Sequence, residues 1–262
     1  MLHLLTSRSF RLLSCFCLVA LLSIVQAFAN NAGSTSIEPD KTKSQTAATN
    51  HYLIFGATSG VGLELAKLLV ARGDQVTAFV RPTSNLAELK ALKVEFVTGD
   101  ALNRQQVDTA FTNKKYRAVV TTMGCYKCPS PPDYEGNKNV FEAARAANHK
   151  RVLMVSTLGT GDTAEIVPWF VKRMLKDVIA LKDKAEKNLM SGGLDYTILR
   201  PGALKDLPPS GAGVMAEKVD STGIIGRADV AALLLQCIDD DATIGKAYAV
   251  YDKELSWPWD MF

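Results

Sequence analysis

His51-Tyr52-Leu53-Ile54-Phe55 runs directly into Gly56-Ala57-Thr58-Ser59-Gly60-Val61-Gly62, and that run continues into Leu63–Ala71, where Leu65, Leu68 and Leu69 recur at helical spacing. The apolar pentapeptide suits a strand buried on both faces, and the leucine spacing suits a helix. Between them, three glycines permit a tight turn that brings backbone close to an anion. The first turn of the helix offers N–H groups that have no partner within the helix. The pattern predicts a strand–turn–helix unit that cradles a pyrophosphate, with Gly56, Thr58, Ser59, Gly60, Val61 and Gly62 as contact residues. Its spacing is G-x-x-x-G-x-G rather than G-x-G-x-x-G, so a merely structural turn is the competing reading.

The alternation persists downstream. Strands are predicted at residues 75–80, 93–97, 118–122, 151–155 and 195–199, with a short one at 247–250. Helices are predicted at 86–92, 104–112, 135–147, 167–190 and 228–238. Short apolar runs separated by helical patterns imply a doubly wound α/β fold with a parallel sheet. It forms a single domain over 51–255, with ligand at the carboxyl ends of the strands, and residues 256–262 are read as a tail.

Ahead of the domain, Arg8 and Arg11 precede an apolar stretch from Leu12 to Val25, and Ala27-Phe28-Ala29 has the A-x-A form of a cleavage site. Residues 1–29 are therefore read as a signal peptide, with an uncleaved membrane anchor as the alternative. Residues 30–50 are polar and read as a flexible linker. The expected location is periplasmic or otherwise outside the cytosol. Thr6-Ser7-Arg8-Ser9-Phe10 resembles a twin-arginine signal that has only one of its two arginines. The chain has 30 Lys and Arg against 27 Asp and Glu, and Arg8 and Arg11 are the only charged side chains in the first 29 residues. A mature chain so close to neutral gives no support for nucleic-acid binding or for a basic membrane surface, and its domain is not expected to span a membrane.

The strand ends carry the chemistry. Arg81 follows the second strand, where an acid would bond the 2′-hydroxyl of NAD and an arginine suits the 2′-phosphate of NADP; an ordinary solvated arginine is the plainer reading. Thr83 and Ser84 add hydroxyls there, or cap the next helix. Asp100 and Ala101 follow the third strand, where a carboxylate accepts from an adenine amine or caps a helix. Gly124 follows the fourth, where a glycine lets backbone approach a ribose.

GATSGVG at 56–62, Val80-Arg81, Gly99-Asp100, Asp133-Tyr134-Glu135-Gly136-Asn137-Lys138-Asn139, Val155-Ser156-Thr157-Leu158-Gly159 and Leu194–Gly202 fall in a telling order. It resembles that of the atypical short-chain dehydrogenase/reductases, nearest the NAD(P)H-binding, NmrA-like and flavin-reductase-like subgroup. The resemblance runs from residue 51 to 252 and closes with Gly226-Arg227-Ala228-Asp229-Val230-Ala231. It implies a Rossmann fold in which the glycine turn holds pyrophosphate and Arg200, Pro201 and Gly202 line the nicotinamide side. Catalytic members use a serine, then a tyrosine four residues ahead of a lysine. Ser156 matches the serine and Lys184 the lysine, but Ala180 stands where the tyrosine would be. Loss of that proton donor removes a contribution of roughly 10²–10⁴-fold from carbonyl reduction. Hydride transfer to a conjugated acceptor, which takes its proton from water, does not need it.

Cys125-Tyr126-Lys127-Cys128 follows the fourth strand. In an exported chain such a pair is a structural disulfide, a redox-active pair or half of a metal site, and no second C-x-x-C or histidine pair completes a metal site. Cys237 is left unpaired on an apolar helix and reads as core. Tyr126 is the one tyrosine placed to substitute as proton donor. Trp169 and Phe170 either lid an acceptor pocket or pack on the domain. His3, His51 and His149 form no constellation.

Two functions follow. One is a reductase that uses NADP(H) in preference to NAD(H) and passes hydride to a small acceptor such as a flavin or quinone. The other is a non-catalytic module that binds the dinucleotide to sense redox state or to help assemble a protein partner.

Overall fold

The computed structural model describes residues 50–219 and 222–255; the predicted signal peptide, residues 30–49 of the linker and the tail lie outside the described residues. The first half alternates β1 (His51–Phe55), α1 (Gly60–Ala71), β2 (Gln75–Val80), α2 (Ala87–Ala91), β3 (Glu95–Thr98), α3 (Arg104–Thr109), β4 (Ala118–Thr121), α4 (Glu135–Ala146) and β5 (Arg151–Val155). Next come α5 (Trp169–Met174), α6 (Lys176–Met190), β6 (Asp195–Pro201), β7 (Ala203–Lys205), β8 (Gly213–Ala216), β9 (Ile224–Gly226), α7 (Arg227–Asp239) and β10 (Lys246–Asp252). The main sheet has eight strands in the order β3-β2-β1-β4-β5-β6-β10-β8. All pairings in it are parallel except the edge pair β10–β8, and β7 pairs with β9 in a separate parallel ribbon. The doubly wound α/β expectation holds, with that antiparallel edge as an addition.

Successive side chains on a strand face opposite ways, and β1 uses both directions for core. Tyr52 and Ile54 join Leu65 and Leu69 of α1 and Val230 and Leu234 of α7 on one side of the sheet. Leu53 and Phe55 join Val107, Phe141 and Leu189 of α3, α4 and α6 on the other. This two-sided burial explains why the strand reads as an unbroken apolar run.

The predicted helix at 167–190 is two helices, α5 and α6, broken at Leu175. Val171 packs toward Leu158 and Ala249, whereas no residue of α5 is fully buried. Beyond Gly211, the chain returns along β8 through pairings too short to leave a periodic signature. Among the described residues, no helix is long and apolar enough to cross a membrane.

Candidate functional site

The strand order reverses beside β1, whose neighbours are β2 and β4. Loops leaving β1 and β4 diverge there and open a crevice at the carboxyl edge of the sheet. A cavity of about 590 Å³ occupies it. Gly56, Thr58, Ser59, Gly60 and Val61 form one wall, and Arg81, Asp100, Ala101 and Gly124 also line it.

The turn is built around close backbone approaches. Gly56 has φ of +85°, and Thr122 Oγ1 donates to its carbonyl at 3.1 Å. Gly62 does not line the cavity. A Cβ there would lie 2.4 Å from Gly56 O and 2.6 Å from Thr122 Oγ1, so its role is to seat α1 against the turn. Ser59 caps α1 with extended backbone but makes no side-chain bond, and the first turn holds no acid. Its N–H groups and the positive end of the helix dipole therefore remain available to an anion. These features fit a pyrophosphate.

Around the crevice, Arg81 is exposed and makes no ion pair with any described residue, and Ser84 N–H donates to the Arg81 carbonyl in a turn at the cavity edge. Asp100 Oδ1 accepts from Leu102 N–H at 2.9 Å, while the cap of α3 is Asn103, which accepts from Gln106 N–H. Two features had no site role in the sequence. Thr122 locks the turn. Arg227 lies across from it, within 3.5 Å of where a Gly60 Cβ would be, with Nη1 on Asp206 at 2.8 Å. The available signal was an arginine opening α7, where the helix dipole disfavours a cation.

The floor is polar and buried. Lys182 Nζ donates to the Met123 carbonyl at 2.5 Å and the Val155 carbonyl at 3.1 Å, and it lies 3.7 Å from Asp133 Oδ1. Burial pushes this lysine below its ordinary range, opposed by the carboxylates of Asp133 and Glu186. Gly124 sits against both groups, with a Cβ position 3.2 Å from Asp133 Oδ1 and 3.5 Å from Lys182 Nζ. The Asp133–Asn139 motif supplies the scaffold. Thr121 Oγ1 donates to Asn137 Oδ1, and Asn139 donates to the Ala101 carbonyl, which ties α4 to the ends of β4 and β3.

The remaining predicted residues sit elsewhere. Lys184 is exposed, with Nζ 5.9 Å from the centre of the Tyr134 ring. Lys182, two positions earlier, is the lysine that reaches the strand ends, and the residue four before it is Val178, so neither register supplies a tyrosine. Ser156 donates to Glu186 Oε1, as does Thr160 at 2.6 Å. Arg200 pairs with Glu186 at 2.7 Å and also with Asp162. Ser156 and Arg200 thus share one buried carboxylate. Neither they nor Pro201 and Gly202 line the cavity, and a Cβ on Gly202 would lie 2.0 Å from Gly223 O. Tyr126 donates its hydroxyl to the Met174 carbonyl at 3.3 Å. Trp169 remains 76% exposed, edge-on to Phe170, so the aromatic pair does not pack into the core.

Comparison with known proteins agrees with this geometry. A Bacillus subtilis protein described as an uncharacterized sugar epimerase is 31% identical over 201 residues, covering 74% of this chain and 91% of that protein. The anaerobillin reductase of Escherichia coli O157:H7 superposes with a TM-score of 0.71 at 28% identity, covering 79% of this chain and all of that one. Sanguinarine reductase of Eschscholzia californica is 28% identical over 131 residues, 48% of this chain and 46% of that enzyme. The fold is thus that of NAD(P)H-binding reductases. A family profile described as NAD(P)H-binding matches residues 56–241, and the chain belongs to that family, within the atypical short-chain dehydrogenase/reductases.

Proposed function

We propose that the protein is an exported, NADPH-dependent reductase that passes hydride to a small conjugated acceptor, flavin-like or quinone-like, without a tyrosine proton donor. The observation that supports this reading is Arg81, which lines the cavity at the end of β2, where an arginine suits a 2′-phosphate, and has no ion pair among the described residues. Behind Gly124, the buried Lys182 holds the ends of β4 and β5 together. NADPH supplies the hydride, and the protein supplies its alignment. The glycine turn and the start of α1 hold the pyrophosphate, with Arg227 adding positive charge beside it. Gly124 lets the nicotinamide ribose approach Asp133 Oδ1, a buried atom that has no hydrogen bond among the described residues. Lys182 is a positioning residue, since its donated protons go to the Met123 and Val155 carbonyls. Ser156 acts likewise, holding Glu186 and through it Arg200. The two relatives named as reductases, of anaerobillin and of sanguinarine, support the reductase reading.

The test is Arg81→Ala with paired NADPH and NADH titrations. Charge-assisted hydrogen bonds contribute about 1.5–3 kcal/mol. NADPH binding should weaken by roughly 10- to 150-fold while NADH changes little. Equal losses for the two cofactors would reject the role of Arg81.

One observation favours a second reading, a non-catalytic dinucleotide module that serves a protein partner. Val178 and Ala180 both lack a phenol, and the Tyr126 hydroxyl is engaged by Met174. Export rests on the N-terminal pattern, and a mature chain beginning at Asn30 would support it.

A further inference from the structure

Cys125 and Cys128 form a disulfide with Cα atoms 5.6 Å apart, and both line the dinucleotide cavity. The pair is connected in two directions. Inward, Cys125 N–H donates to Asp133 Oδ2 at 3.0 Å. The other oxygen of Asp133 faces Lys182, which holds the carbonyls at the ends of β4 and β5. Outward, Tyr126 lies between the cysteines and is 56% exposed, and its hydroxyl bonds the Met174 carbonyl at the end of α5.

As a staple, this bond is poorly placed. The entropic gain from a disulfide grows with the loop it closes, and these cysteines are only three positions apart. What it fixes instead is local: the path of the cavity wall and the direction of the N–H that bonds Asp133. Tyr126, Lys127, Pro129 and Ser130 are all exposed, so the bond is approachable from solvent.

We propose that Cys125–Cys128 is a redox site that sets the affinity of the dinucleotide cavity, tight when oxidised and weak when reduced. The proposal rests on the dinucleotide reading given above. The reductant is a dithiol. Its thiolate attacks one sulfur, forming a mixed disulfide and expelling the other cysteine as thiolate; its second thiol then displaces the bound cysteine. Two electrons pass to the pair, which takes up two protons, and the reductant leaves as a disulfide. Reduction replaces a covalent bond with two thiols in van der Waals contact. The turn widens, the Cys125 N–H loses its aim at Asp133, and the wall opens away from Gly124.

The experiment compares NADPH binding by the full chain before and after equilibration with dithiothreitol without oxygen. Iodoacetamide labelling counts free thiols. Labels are mapped to peptides, since the full chain also carries Cys15 and Cys17. Cys125 and Cys128 should be unlabelled in oxidised protein and both labelled in reduced protein, and Cys237 is buried. The reduced form should bind NADPH about tenfold more weakly. Cys125→Ser/Cys128→Ser should match the reduced form and ignore the dithiol. Equal affinity in the two states of the wild-type chain overturns the redox site alone. So does a bond that millimolar dithiothreitol leaves closed in the native protein. If the oxidised chain binds neither NADPH nor NADH, the dinucleotide reading fails, and the redox proposal fails with it.

Discussion

Gly62→Ala separates helix propensity from the geometry of the cradle. Gly62 lies in the first turn of α1, and propensity alone predicts that alanine there stabilises the helix by about 0.8–1 kcal/mol. The structure predicts the opposite sign. An alanine Cβ would stand 2.4 Å from Gly56 O, 2.8 Å from Gly56 C and 2.6 Å from Thr122 Oγ1, below the 3.0 Å that real Cβ contacts respect. Two of those atoms are backbone, and Thr122 is itself bonded to the Gly56 carbonyl, so no flexible side chain can yield. Overpacking of this kind costs roughly 1–3 kcal/mol, and rigid surroundings place it at the upper end. After the propensity gain, a net loss of about 2 kcal/mol remains, which for a domain of this size lowers Tm by roughly 4–8 °C. The turn must also shift, so NADPH affinity falls with stability. Thermal unfolding and calorimetric titration would read both effects. A raised Tm with unchanged NADPH affinity would refute the close-approach explanation of Gly62.

Two further perturbations address the buried polar layer and the core. Glu186→Ala leaves Arg200, only 4% exposed, with the exposed Asp162 as its one remaining ion pair among the described residues, and removes the acceptor of the Ser156 hydroxyl. Breaking a buried pair from one side costs about 3–5 kcal/mol, so urea unfolding should show a loss on that scale, and a loss under about 1 kcal/mol would contradict it. Burial pushes the Cys237 thiol up to about 11 from its ordinary 9.0. The unfolded chain therefore loses this proton first. The thiol's stabilising contribution is intact below pH 9 and is lost as pH rises to 11, about 1.4 kcal/mol for each unit of pKa difference. Cys237→Ala should flatten the stability profile in that window; an unchanged slope would show that the thiol does not titrate there.

Much of the fold was legible because β1, β2 and β5 are apolar runs with polar or glycine boundaries, and their observed limits match the sequence reading. The break at Leu175 was not legible: no glycine or proline interrupts 169–190, and Val171 of α5 packs on Leu158 and Ala249, contacts made only in the tertiary fold. Strands β7, β8 and β9 went unread because three or four residues carry no periodicity, and their pairing depends on chain far away. In the site, the cradle was visible because its chemistry is local. Lys182 was missed by two positions, which on a helix is a rotation of about 200° and the opposite face. Its signal lay in the spacing: Lys182, Ala185, Glu186 and Leu189 share the buried stripe of α6, while Lys184 lies off it. Arg227 joins the turn only through the tertiary fold.

The most direct test follows NADPH absorbance without oxygen, with purified protein and a panel of flavins and quinones. Reductase function predicts protein-dependent NADPH oxidation matched one for one by acceptor reduction, and slower turnover with NADH. Tight NADPH binding with no turnover above the protein-free rate for any acceptor would contradict it and leave the non-catalytic module standing.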